Sequence, residues 1–184
     1  PHWWQDPRNA VLAVKAIERA LSQADPDGRT VYRRNAVPYT RRLQRLDARV
    51  AACLARVPDA KRKIVTTHDS LGYLARRYDV EVIGSVIPSL STQAQPSAGD
   101  IADLVDQVRS EGVEAVFPEA GADERLERAL SRDAGAGVGA PLYADTLGEE
   151  GSGAETYVEA VAANAEALTE GMSGGRVHCP QAAG

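Results

Sequence analysis

From residue 58 onward the chain alternates short β-branched or apolar runs with amphipathic stretches, and this alternation constrains the fold more than any other feature. The runs are Lys63 to Thr67, Val80 to Val86, Val113 to Phe117 and Ala140 to Tyr143. They are short and rich in residues that suit a pleated sheet. Helical spacing follows over Ser70 to Tyr78, Ala98 to Glu111, Asp123 to Asp133 and Glu155 to Glu170. Asp123 is a plausible cap for the third of these, and Ile101, Leu104, Val105 and Val108 make the inward stripe of the second. Repeated strand–helix units predict an α/β fold with a mostly parallel four-stranded sheet flanked by helices. Pro88 to Pro96 reads as a polar loop, Gly135 to Gly139 as a flexible connection, and Ser173 to Gly184 as a loose tail.

The amino-terminal part lies outside that alternation. Asn9 to Ala24 has helical spacing through Val11, Val14, Ile17 and Leu21, and Asp25-Pro26-Asp27-Gly28 breaks it. A long helix is predicted from about Thr30 to Val57 on the stripe Leu43, Leu46, Val50 and Leu54. Pro38 should kink it or mark a restart, since proline removes an amide donor. Its other face, with Arg41, Arg42, Arg45 and Arg49, reads as solvated.

Composition narrows the function classes. With 184 residues the chain suits one domain, or one domain and part of another. Its net charge is -5 and its basic residues come in short pairs, which argues against nucleic-acid binding. No apolar run reaches the roughly 18 residues a membrane-spanning helix needs. Cys53 and Cys179 are too few for a cysteine cluster. They either form one bridge in an exported protein or stay a buried thiol and a tail thiol.

In open parallel sheets, ligands bind beyond the carboxyl ends of the strands. His68-Asp69 follows the first run, Pro118-Glu119 the third and Ala144-Asp145 the fourth. A histidine and two acids thus share one rim. Such a set binds a divalent transition metal or serves as a general acid–base group. It could also be helix caps and a loop histidine. No P-loop, G-x-S-x-G, H-E-x-x-H or G-x-G-x-x-G motif is present.

Five segments, in order, resemble the zinc and manganese solute-binding proteins of ABC transporters, the zinc-uptake and treponemal-type cluster. Pro1 to Ala10 resembles "DPHxWxDPxNA", and Thr67 to Tyr78 resembles "HDAFGYFARRY". Leu90 to Ser97 resembles "STEAEPS", with Gln93 and Gln95 where acids are usual. Val116 to Glu119 is similar to "VFxE", and Asp145 to Gly148 to "DxLG".

The resemblance implies one lobe of a two-lobed metal-binding protein. Residues 1–28 would be a remnant of the amino-terminal lobe, 29–57 the connecting helix, and 58–184 the carboxy-terminal α/β lobe. It implies His2, His68 and Asp145 as metal ligands and a fourth ligand from the missing amino-terminal lobe, with His2 poorly held in its absence. His178 has no counterpart in the pattern. Glu119 is expected to orient a ligand or loop, or to cap the helix near Asp123. Histidine at position 68, where glutamate would lean toward manganese, points to Zn(II), with Mn(II) open. The implied function is extracytoplasmic or periplasmic capture of the metal and delivery to a membrane ABC permease, without enzymatic chemistry. Release would use lobe movement or loosening of the Asp145 turn, which Gly148, Gly151 and Gly153 flank. A metal-dependent hydrolase using His68, Glu119 and Asp145 and a surface adhesin are the competing readings.

Overall fold

A computed structural model describes residues 2–89 and 96–180. After a short 3-10 turn at Trp3–Gln5, helix α1 spans Pro7–Ala24 and helix α2 spans Arg29–Leu54. Asp6 caps α1 by accepting the Arg8 amide, and Pro7 sits in the first turn, where a missing N–H costs nothing. Helix α2 does not restart at Pro38 but runs through it as one helix. Pro38 is exposed, so the carbonyl of Arg34 that loses its amide partner lies on the side facing water.

Strand β1 is Lys63–His68, helix α3 Gly72–Tyr78, strand β2 Glu81–Ile87 and helix α4 Ala98–Glu111. Strand β3 is Ala115–Phe117, helix α5 Arg125–Ala134, strand β4 Gly137–Val138 and helix α6 Tyr157–Met172. The sheet order is β2-β1-β3-β4, and every pairing is parallel, as the alternation predicts. The fourth strand is displaced from its expected place. It lies within the segment read as a flexible connection, while Ala140 to Tyr143 contributes only a single bridge, Glu119 to Leu142. Asp123 accepts the Arg125 amide just ahead of α5, so it serves that helix start from one position further out than a cap.

Side-chain alternation along the strands divides the core. Ile64, Ala115 and Phe117 face α2, α3 and α6, where Leu43, Leu54, Leu74 and Leu168 are buried. Val65 and Val116 face the other way, against Leu104, Val105 and Val108 of α4 and Leu130 of α5. Phe117 fits because Gly139 and Gly171 are glycines: a Cβ at either would strike its ring. Full burial of such a ring is worth about 2–3 kcal/mol.

Two polar ties hold the long helix. Asp47 of α2 accepts both Arg77 Nε at 3.0 Å and Nη2 at 2.8 Å, and the Tyr78 hydroxyl at 2.9 Å, which fixes α3 to α2. At the far end of α2, Cys53 is bridged to Cys179, which decides between the two cysteine readings. The tail is therefore not loose as far as Pro180: the bridge, a Val177 amide bond to Ser173 and a 2.6 Å His178–Glu170 contact hold it on α6.

Candidate metal centre

The rim where β1 and β3 end carries the expected residues. His68 is the last residue of β1, and its side chain is fully buried. Asp145 lies in the turn after Leu142, with its carboxylate 44% exposed. His2 immediately precedes the first 3-10 turn and is 5% exposed. The structure brings these three together. His2 Nε2 and His68 Nε2 are 3.2 Å apart. Asp145 Oδ1 is 3.3 Å from His2 Nε2, and Oδ2 is 3.5 Å from His68 Nε2.

His2 is not poorly held. Trp4 Nε1 donates to the Ala144 carbonyl at 2.9 Å, and Gln5 Nε2 donates to the same oxygen at 2.9 Å and to the Tyr143 carbonyl at 3.2 Å. The Tyr157 hydroxyl donates to the Trp4 carbonyl at 2.6 Å. These bonds tie the segment bearing His2 to the two residues before Asp145 and to α6. The turn is itself anchored to α6: Asn164 accepts the Tyr143 amide at 2.8 Å and donates to its carbonyl at 2.9 Å. Nothing local in the sequence marks Trp4, Gln5 or Asn164 for this task.

Glu119 stands behind His68 rather than capping α5. Its Oε2 is 2.8 Å from Nδ1, the ring nitrogen opposite the one that faces Asp145. The contact is close but off the axis of an aligned N–H donor, and neither atom has another hydrogen-bond partner among the described residues. A proton on Nδ1 leaves the Nε2 lone pair toward His2 and Asp145. Behind Glu119 lies a buried chain. The Thr67 hydroxyl accepts the Glu119 amide at 3.0 Å and donates to Glu127 Oε1 of α5 at 2.6 Å. Glu127 is 2% exposed, and sequence spacing did not single it out.

The two imidazoles titrate in opposite directions. Burial lowers the His2 pKa, outweighing the nearby Asp145 charge. The Glu119 contact raises that of His68 against the effect of burial. Two nitrogen lone pairs at 3.2 Å repel unless a proton or a cation lies between them. The arrangement can therefore hold a proton or take a metal ion. His68, Glu119 and Asp145 do not face one common point, because Glu119 and Asp145 meet opposite edges of the ring. That disfavours their use as an acid–base set on one substrate. His178 pairs with Glu170 and takes no part. Gln93 and Gln95 lie outside the described residues.

The family model described as zinc-uptake complex component A, periplasmic, matches residues 1–171. The manganese-binding lipoprotein MntA of Halalkalibacterium halodurans is 31% identical over 173 residues, which are 94% of this chain and 57% of that protein. The iron-binding protein YfeA of Yersinia pestis is 28% identical over 172 residues, 94% of this chain and 55% of that one. Among solved structures, the periplasmic zinc-binding protein TroA from Treponema pallidum superposes with a TM-score of 0.87 at 27% identity. The superposition covers 94% of this chain and 63% of that one. The chain thus spans a little over half the length of the curated relatives it matches.

Proposed function

Because the chain belongs to the zinc-uptake complex component A family, we propose that it captures a divalent transition metal outside the cytoplasm, zinc in the first place, through His2, His68 and Asp145, for delivery to a membrane ABC permease. The convergence of these three side chains carries the reading: their ligand atoms all lie within 4.8 Å of one another, on two buried imidazoles and one half-exposed carboxylate. Around a tetrahedral ion with bonds of about 2.0–2.1 Å, neighbouring ligand atoms stand about 3.3 Å apart. The separations here are 3.2, 3.3 and 3.5 Å.

In this reading each residue has a distinct task. His2 and His68 give neutral Nε2 donors, and Asp145 supplies the negative charge that offsets the ion. Glu119 holds the His68 ring by Nδ1, as carboxylates behind metal-bound histidines do. Residues 1–28 belong with the amino-terminal lobe, 29–57 form the connecting helix and 58–184 the second lobe. A fourth ligand comes from the amino-terminal lobe. No covalent bond is made or broken. Release follows from loosening of the exposed Asp145 turn, where Gly151 and Gly153 hold positive φ of 83° and 73°.

Manganese is the second reading, favoured by the name of the MntA relative. Nitrogen donors of two histidines favour zinc, since manganese prefers more oxygen. Metal analysis of the purified protein, with a thermal shift reversed by chelator, tests capture. Zinc at one equivalent and a reversible shift are expected; neither metal bound and no shift would overturn the proposal.

A further inference from the structure

Helix α2 has a second face that metal capture does not use. Residues 29 to 56 hold eight arginines and one acid, Asp47, while elsewhere in the chain acids outnumber bases by 25 to 13. All eight arginines are exposed, and their side chains make no ion pair or hydrogen bond with any described residue. Asp47 is turned the other way, toward Arg77 and Tyr78. Arg34, Arg41, Arg45 and Arg49 recur at helical spacing on the side opposite the buried Leu43, Leu46 and Val50. At about 1.5 Å per residue this row is about 22 Å long. Near the helix start the row widens into a shallow groove lined by Arg29, Arg33, Arg34, Val37 and Pro38.

We infer that this arginine ridge is a docking surface for an anionic lipid bilayer. Charge complementarity supports it on two counts. The ridge runs along one continuous helix, unbroken by acids over nearly three times the Debye length of about 8 Å, so it suits a flat sheet of like charges. The acidic remainder of the chain is repelled by such a sheet, so the protein meets it in one orientation. Exposed Val37, which lines the groove with Arg29, Arg33 and Arg34, suits the boundary between headgroups and acyl chains. A discrete acidic protein would need its own row of carboxylates at matching spacing, whereas any anionic bilayer presents one. MntA, a relative named as a lipoprotein, is by that name a protein held beside a membrane. The ridge would lay the long helix of this chain along such a surface.

Co-sedimentation of the chain with vesicles of phosphatidylcholine, with and without phosphatidylglycerol, tests this. The chain should bind only the vesicles with phosphatidylglycerol and should be released at about 0.5 M salt, where screening shortens the Debye length. Each arginine near the surface is worth about fivefold in affinity, so R41Q/R45Q/R49Q should weaken binding about 100-fold. The charge-keeping R41K/R45K/R49K should stay within a few-fold of the parent. Zinc binding should be unchanged in both variants. Failure of the parent chain to bind anionic vesicles, equal binding to neutral ones, or equal binding by R41Q/R45Q/R49Q would overturn the inference. Retention on polyglutamate without vesicle binding would also overturn it and assign the ridge to an acidic protein. If R41Q/R45Q/R49Q does not fold, the lipid and salt dependence of the parent chain decides.

Discussion

His2 and His68 turn their Nε2 atoms toward each other at 3.2 Å, although 66 residues separate them in the chain. His68 is placed by a strand end, and His2 by a tethered turn whose anchors lie on the Asp145 loop and on α6. The candidate site is thus a junction of three chain segments, and its geometry depends on all of them.

Removal of a ligand should be separable from removal of its support. His68→Ala and Asp145→Ala should each weaken zinc binding by more than about 100-fold, since each loses a first-sphere donor. Glu119→Gln, which removes only the support behind His68, should cost about 10–100-fold. Calorimetric titration of each variant checks the order. A Glu119→Gln loss as deep as that of His68→Ala would mean that the glutamate itself is a ligand.

Proton competition has a definite sign. His68 has its pKa raised by Glu119, so the metal-free chain keeps that proton to higher pH than a free imidazole would. His2 has its pKa lowered by burial and is neutral at lower pH already. Zinc affinity should therefore climb as pH rises through and above about 6.5, with His68 as the limiting group. In the metal-free chain the His68 contribution to stability is full below the unfolded pKa and is lost as pH rises through the folded value. Zinc titrations across this range, in the parent and in Glu119→Gln, check the assignment: the variant should reach full affinity at lower pH.

Asp47 should matter to the fold and not to the metal. Burial alone would raise its pKa, but hydrogen bonds from Arg77 and Tyr78 hold the carboxyl below the ordinary value. Its contribution is therefore present above the unfolded pKa of about 3.9 and is lost as pH falls through the folded value. Asp47→Ala should cost about 2–4 kcal/mol by leaving Arg77 and Tyr78 unpaired. Denaturant unfolding at neutral and acid pH measures both effects, and the loss should shrink in acid. A loss equal at both pH values would show that the carboxylate charge is not what Arg77 and Tyr78 use.

The Cys53–Cys179 bridge closes a span of 126 residues. A loop of that size is worth up to about 5 kcal/mol by restricting the unfolded chain. The double substitution Cys53→Ala with Cys179→Ser should lower the melting temperature and leave zinc stoichiometry unchanged. A melting temperature unaffected by that change would place the tail's stability in its other contacts, the Ser173 and His178 bonds.

Much of this architecture is readable from residue pattern. Ile64-Val65 and Val116-Phe117 announce strands, because residues that serve two buried faces must be apolar in succession. Strand β4 escapes notice for a physical reason: it is two exposed residues, Gly137 and Val138, whose pairing comes from lying beside β3 rather than from propensity. Continuity through Pro38 is likewise decided by where the orphaned carbonyl points, which spacing does not reveal. At the site, His68, Glu119 and Asp145 are legible because strand ends in a parallel sheet share a rim. The firm hold on His2 is not, since Trp4 and Gln5 reach carbonyls some 140 residues away. The Thr67–Glu127 bond is equally hidden, as it joins a strand to a helix of the opposite layer.

The central claim is that His2, His68 and Asp145 bind one ion together. X-ray absorption at the zinc edge, on the loaded chain and on His2→Ala and His68→Ala, tests it most directly. The parent should show two imidazole nitrogens and oxygen donors at about 2.0–2.2 Å, and each variant should lose one imidazole. A parent spectrum without imidazole scattering, or one unchanged in both variants, would contradict the account.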